Sequence, residues 1–267
     1  MTSAVLEVVD LEIRLRAGPV LVEKLSLSIS AGSMTALVGE SGSGKTLSAM
    51  AIMGLLPPGI NRSGGSIHVC GDDVSNGLGA FLGRDVTMVF QEPMTSLDPV
   101  MRIDRQLLEA RRRRVRCRGR RGRAWCVGAL SEVGIDDAER VAAAFPHELS
   151  GGMRQRVLIA MGLAPEPRLI LADEPTTALD AINRRDALEL LASATRKGAG
   201  VLLITHDLGS VRGWADHIVV MRGGRCCEQG PTLQVLENPK HPYTKGLLEC
   251  VPQRGHRGPL PELPAGG

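Results

Sequence analysis

Aromatic residues are almost missing from this chain of 267 residues: Phe81, Phe90, Phe145, Trp125, Trp214 and Tyr243 are all it has. A core must therefore be mostly aliphatic. Base-stacking platforms of the kind that bind single-stranded nucleic acid are nearly absent. No apolar run approaches the ~20 residues that span a bilayer. Met1–Asp10 lacks a basic region followed by an apolar stretch, so no signal peptide is expected. The six cysteines form no C-x-x-C pair, and Cys226 and Cys227 are adjacent. Reduced thiols are the expectation, and with them a soluble, intracellular chain that is not anchored by itself. Lysine is scarce: five, against 27 arginines. Nine of those arginines lie between Arg111 and Arg123, and removing them turns the formal net charge of +3 into −6. The basicity is local.

What is present is ordinary globular composition, 43% hydrophobic and 23% charged. The length suits one large domain, or a domain with a subdomain. Leu25-Ser26-Leu27-Ser28-Ile29-Ser30 alternates strictly and predicts a strand with one buried face. Met34–Val38, Val86–Phe90, Leu169–Ala172 and Val201–Thr205 are short apolar runs that suit buried strands. Helical segments are expected over Leu47–Leu56, ended by Pro57-Pro58-Gly59, and over Arg184–Thr195. Residues 93–164 read as helices. Buried strands alternating with helices predict an α/β fold with a largely parallel sheet. Pro252–Gly267 reads as a loose tail.

Gly39-Glu40-Ser41-Gly42-Ser43-Gly44-Lys45-Thr46 fits G-x-x-x-x-G-K-[ST]. Glycines allow the tight turn that points successive N–H groups at phosphate oxygens, and the following helix adds its positive end. Lys45 is placed to reach the terminal phosphates, and the Thr46 hydroxyl to bind Mg2+. An ordinary Gly-rich turn would explain neither the lysine nor the strand before and helix after. Leu169-Ile170-Leu171-Ala172-Asp173-Glu174 is an apolar strand ending in two carboxylates. Asp173 can hold Mg2+ through water, and Glu174 can polarise a water toward the γ-phosphate. Standing alone, the pair could equally be an exposed strand end before Pro175.

Leu149-Ser150-Gly151-Gly152-Met153 precedes a helical run. Ser150 fits an N-cap, and the two glycines let backbone amides approach an anion. This pentapeptide, between a phosphate loop and a D-E strand, resembles that of the ATP-binding subunits of ABC transporters, over about residues 5–250. The resemblance implies a RecA-like core with an N-terminal antiparallel β part (1–92 and 165–232), a helical subdomain (93–164), and a C-terminal helix and tail (233–267). It implies that Gln91 touches Mg2+ or the lytic water, that Asp180 crosses between subunits, and that His206 contacts the γ-phosphate. It implies a head-to-tail pair in which each ATP lies between the phosphate loop of one subunit and Ser150-Gly151-Gly152 of the other. The position matching the family's adenine-stacking aromatic is Leu15, which predicts somewhat weak ATP binding. Met153 stands where glutamine is commonest in the family, as often in the peptide-importer branch.

Glu92-Pro93-Met94-Thr95-Ser96-Leu97-Asp98-Pro99, His147–Arg156 and Asn238-Pro239-Lys240-His241-Pro242-Tyr243-Thr244 resemble the dipeptide, oligopeptide and nickel importers. The resemblance implies an ATPase at the cytoplasmic face of a bacterial inner membrane. Its partners would be a second ATPase subunit (self or paralogue), two permeases and, indirectly, a solute-binding protein. Peptides are the expected cargo; nickel or a metal chelate is the alternative. Cys250 is the one cysteine near the tail, so no iron–sulfur cluster is expected. A soluble ABC ATPase acting on nucleic acid or ribosomes is opposed by the single cassette and the lack of sustained heptads. The Arg111–Arg123 run reads first as a solvated helical face, with nucleic acid or anionic lipid as other readings. Gly119 and Gly122 are expected to weaken a helix there.

Overall fold

A computed structural model describes residues 4–90, 96–176 and 180–250. In chain order the elements are β1 (Ala4–Leu15), β2 (Val20–Ser30), β3 (Met34–Val38), α1 (Lys45–Met53), β4 (Ile60–Val69), β5 (Asp72–Asp73) and β6 (Val86–Val89). Then come α2 (Ile103–Arg111), α3 (Gly119–Glu132), α4 (Ala138–Ala143), α5 (Gly151–Leu163), β7 (Leu169–Asp173) and α6 (Ala181–Arg196). The last are β8 (Gly200–Thr205), α7 (Leu208–Val211), β9 (His217–Arg222), β10 (Arg225–Pro231), α8 (Thr232–Glu237) and α9 (Pro242–Glu249). The chain is mixed α/β, with antiparallel and parallel strands. It divides into two compact units, residues 1–77 with 202–267, and residues 78–201.

In the first unit an antiparallel sheet runs β2–β1–β4–β5. The alternation expected in Leu25–Ser30 is there: Leu25, Leu27 and Ile29 are buried, and β2 extends back to Val20. The N-terminal antiparallel β part is there, but the spans of β1 and β4 are not marked by alternation, because bulges break it on both pairings and β4 is polar with two glycines. β3 is buried at all five positions and runs parallel to β9, Ala36 opposite Ile218 and Val38 opposite Val220. Asp216 sets this register by accepting the Met34 N–H at 2.8 Å. β10 returns antiparallel to β9 and carries Cys226 and Cys227. α1 begins at Lys45 and stops at Gly54, whose φ of 69° caps it. The helix therefore ends three residues before Pro57, because a left-handed glycine satisfies the last carbonyls first.

In the second unit β6 and β7 pair in parallel, Val86 opposite Leu169 and Val89 opposite Ala172. The helices α2–α5 enclose a mainly aliphatic core that includes Ile103, Leu107, Leu130, Val141 and Val157, with Cys126 fully buried among them. Gly119 and Gly122 do not interrupt a helix: they open α3. A Cβ at Gly122 would lie 3.3 Å from Leu108, so glycine there permits close packing.

The Arg111–Arg123 run is not uniformly a solvated face. The Arg111 side chain is 14% exposed, its guanidinium 4.3 Å over the Trp125 ring and 3.8 Å from Glu166. Arg114 lies 3.6 Å from the carboxylate of Asp85, which is itself buried and also takes Arg84. The Asp85 carbonyl accepts the N–H groups of Arg168 and Leu169. Asp85 thus ties the arginine run to the starts of β6 and β7. The arginines from 116 to 123 are exposed.

Candidate functional site

The first unit holds the phosphate loop between β3 and α1. A strand buried at every position fixes its entry and a helix N-terminus its exit. Gly39 has φ 156°, and a Cβ there would lie 2.2 Å from the Met221 carbonyl oxygen. Gly44 has φ 99°, and a Cβ would meet Val22 at 2.8 Å. Glycine is required at both positions by strain and by contact. Gly42, at φ 81°, faces open space. The Ser43 carbonyl accepts the Gly224 N–H at 3.2 Å, so the β9–β10 turn supports the loop from outside.

Lys45 is 5% exposed. Its Nζ donates to the carbonyls of Gly39 and Glu40, both at 2.8 Å. A buried ammonium inside a ring of backbone groups at a helix N-terminus is a donor set suited to a polyphosphate. Glu40 and Ser41 are exposed on the rim, and Thr46 is half-buried at the first turn of α1. His206 follows β8 directly and is exposed. The Thr205 hydroxyl beside it accepts the Asp207 N–H at 3.0 Å, and Asp207 caps α7. Leu15 ends β1 and is 43% exposed, presenting aliphatic surface where the resemblance implies an aromatic.

The second unit holds the carboxylates and the Ser-Gly-Gly segment. β7 is buried along its length and ends in Asp173, 4% exposed. Glu174 follows with φ 45°, a left-handed conformation uncommon for a side-chain-bearing residue. The next residue is Pro175, which ordinarily pushes its predecessor into extended backbone. The strain therefore sits at the residue whose carboxylate the chemistry would need to aim.

Ser150 is the N-cap of α5 and accepts the Met153 N–H at 3.3 Å. Gly151 has open space around it, whereas a Cβ at Gly152 would lie 3.2 Å from Asn183 Oδ1. Asn183 in turn donates its backbone N–H and its Nδ2 to the Asp180 carboxylate, each at 2.8 Å. The backbone N–H of Asn183 holds the Asp180 carboxyl below its ordinary range. One asparagine thus joins Gly152 to Asp180. Gln155, 3% exposed, donates to the Pro175 carbonyl at 2.7 Å and joins α5 to the segment after Glu174.

Lys45, Thr46, Leu15 and His206 belong to the first unit. Asp173, Glu174, Ser150, Gly151, Gly152 and Asp180 belong to the second. Gln91, the segment Glu92–Thr95, Ala178-Leu179 and Pro252–Gly267 lie outside the described residues. Sequence reading passed over Asn183 and Gln155. Asn183 could have been found as the residue three past a helix-capping aspartate, and Gln155 as the one polar residue on the buried face of α5.

A glycine-ringed lysine on a strand–loop–helix unit defines a phosphate-loop nucleotide-binding protein. The ABC transporter family model matches residues 22–177. The oligopeptide/dipeptide transporter C-terminal region matches residues 227–265. A probable D,D-dipeptide transport ATP-binding protein of Escherichia coli is 45% identical over 252 residues, covering 91% of this chain and 76% of that protein. A peptidoglycan transport ATP-binding protein of Agrobacterium fabrum is 44% identical over 261 residues, 94% of this chain and 48% of that protein. The chain spans about half the length of that second relative. A solved ATP-binding subunit of an ABC transporter superposes with a TM-score of 0.73 at 27% identity, over 87% of this chain and 92% of that one. The chain belongs to the ABC transporter family as one of its ATP-binding subunits. Among the described residues no helix is long and apolar enough to cross a membrane.

Proposed function

We propose that this chain is the ATP-hydrolysing subunit of an importer for di- or oligopeptides. It works as one of two cassettes against membrane-spanning permeases on the cytoplasmic side of the membrane. The observation that carries the reading is Lys45, held by two loop carbonyls in a chain whose C-terminal region matches that of oligopeptide/dipeptide transporters. In this reading 1–92 and 165–232 form the ATP-binding core, 93–164 the helical subdomain, and 233–267 the C-terminal helix and tail.

The loop amides, the α1 N-terminus and Lys45 bind the phosphates of ATP. Gly39 and Gly44 let the backbone close around them. Leu15 offers the adenine an aliphatic face. Thr46, Asp173 and Gln91 would hold Mg2+, which would supply charge neutralisation to the phosphates when bound. Among the described residues no three His, Cys, Asp or Glu side chains converge as a metal cage. The Thr46 hydroxyl and the Asp173 carboxylate are hard oxygen donors, the kind that Mg2+ takes alongside substrate phosphates.

Glu174 accepts a proton from the attacking water and orients it in line with the γ-phosphate. His206 contacts the γ-phosphate. Ser150, Gly151 and Gly152 of a second cassette complete the site on the other side of the nucleotide, and Asp180 lies at the crossing between them. ATP closes the pair because its phosphates bridge two surfaces rich in N–H donors. Hydrolysis reopens it, and the permeases take up the movement.

The test is uptake of labelled dipeptides by cells carrying the intact transporter with Lys45→Ala in this subunit. Peptide uptake should be lost while nickel uptake is unchanged. Loss of nickel uptake alone would overturn the peptide assignment.

A further inference from the structure

Tyr243 is the residue in the C-terminal block whose identity the fold does not demand. It is 1% exposed, in a cluster with Val38, Leu208, Ile218, Val220 and Val235. A phenylalanine would fill that space. A buried hydroxyl needs a partner, and this one has the phosphate loop. The Glu40 backbone N–H donates to the Tyr243 oxygen at 3.2 Å, across 203 positions of sequence. The carbonyl of the same Glu40 holds Lys45 Nζ at 2.8 Å. The Glu40 carboxylate lies 3.9 Å from Arg222 Nε, and the Arg222 guanidinium sits 4.8 Å over the Tyr243 ring. Tyr243, Glu40 and Arg222 therefore close a ring of contacts, and Lys45 hangs from one member of it.

The helix that carries Tyr243 is itself tied down. His241 caps α9, its Nδ1 accepting the Tyr243 N–H at 3.1 Å. Pro242 stands at the first helical position, where its missing N–H costs nothing. Glu228 of β10 accepts the N–H groups of Lys240 and His241, at 2.8 and 3.0 Å. Each residue of the His-Pro-Tyr sequence thus serves to place one hydroxyl on the phosphate loop.

We propose that Tyr243 is a positioning residue for ATP binding. Its hydroxyl fixes the Glu40 peptide, and through it Lys45, so that docking of α9 and occupancy of the loop by nucleotide are thermodynamically linked. The inference rests on the reading of Gly39–Thr46 as the ATP-binding loop.

The test uses the full chain with Tyr243→Phe, which keeps the ring and removes the oxygen. Without nucleotide, hydrogen exchange at the Glu40 amide should speed up about tenfold, while the Leu37 and Val38 amides keep their rates. The KM for ATP should rise about three- to tenfold, the loss of one net hydrogen bond, with kcat changed much less. Unchanged Glu40 exchange and unchanged KM would overturn the proposal, since ring packing alone would then be the role. If Tyr243→Phe does not fold, Glu228→Ala releases the start of α9 with Tyr243 intact. Faster Glu40 exchange there supports the proposal, and no change overturns it. Lys45→Ala separates the two layers. If that variant binds ATP normally, the loop reading falls; if it loses ATP while Tyr243→Phe does not weaken it, only the Tyr243 proposal falls.

Discussion

The Gln155 carboxamide donates to the Pro175 carbonyl at 2.7 Å, with both residues buried. It spans from the helix that begins at Ser150 to the residue after Glu174. This contact explains why a glutamine stands on the buried face of an otherwise aliphatic helix. It also gives the strained Glu174 backbone a fixed neighbour.

Gln155→Leu should therefore unfold more easily. The substitution fills the space but leaves a buried carbonyl without its donor, at a cost of about 1–3 kcal/mol. A urea melt measures this. ATP turnover should also fall, because Pro175 no longer holds its predecessor. A melt unchanged within about 0.5 kcal/mol would show that water or another donor satisfies Pro175 equally well.

Glu174→Gln keeps size and the chance of hydrogen bonding while removing the carboxylate proposed as the base. Turnover should drop by about 10²–10⁴-fold, the range for loss of a general base. ATP affinity should be retained, and ATP-bound pairs should accumulate in size-exclusion chromatography. Wild-type turnover in this variant would mean that another group orients the water.

Leu15→Tyr replaces a half-exposed aliphatic surface by a ring. Stacking on adenine contributes about 1 kcal/mol or more, so ATP should bind roughly fivefold tighter. Titration with ATP and with a ribose triphosphate lacking the base distinguishes the sources. Only the ATP curve should move. Equal or weaker ATP binding would remove Leu15 from the adenine site.

Burial in the helical core pushes the Cys126 thiol up from 9.0 to about 12. Unfolded, the same thiol ionises near its ordinary value; folded, it stays protonated. The stabilisation is whole below pH 9 and is lost as pH rises through about 12. At pH 8 Cys126 should resist alkylation until the chain unfolds. Labelling followed by mass spectrometry should show it reacting last of the six thiols. Early labelling would mean that the second unit opens locally.

The segments of the candidate site can be picked out in the chain because each is local. A phosphate loop is eight consecutive residues, and its meaning depends only on the strand before and helix after. The same holds for Ser150-Gly151-Gly152 and for the strand ending in Asp173-Glu174. β2, β3, β7 and β8 were legible because burial on one or both faces writes itself into apolar spacing. For β1 and β4 only the N-terminal β character was legible and not their spans, since bulges shift their register and destroy the period. The end of α1 at Gly54 was missed because proline is a louder stop than glycine, although glycine acts first. The arginine run read as one feature because composition is blind to partners. In the structure Arg111 stacks on Trp125 and Arg114 pairs with Asp85, while the arginines beyond are left to solvent.

By itself the sequence determined the residue types on which the proposed chemistry rests. Glycines where the backbone must bend, a lysine for phosphate and a carboxylate for water are requirements of residue type at short spacing. Tertiary structure alone decided which distant residues serve those groups. Asn183 lies between Gly152 and Asp180, Gln155 reaches Pro175, and the Tyr243 hydroxyl takes the Glu40 amide from 203 residues away. Each is a hydrogen bond or close approach between segments that only packing brings together. The small number of aromatics matters for the same reason. The one tyrosine gives its hydroxyl to the Glu40 amide of the loop that ends in Lys45.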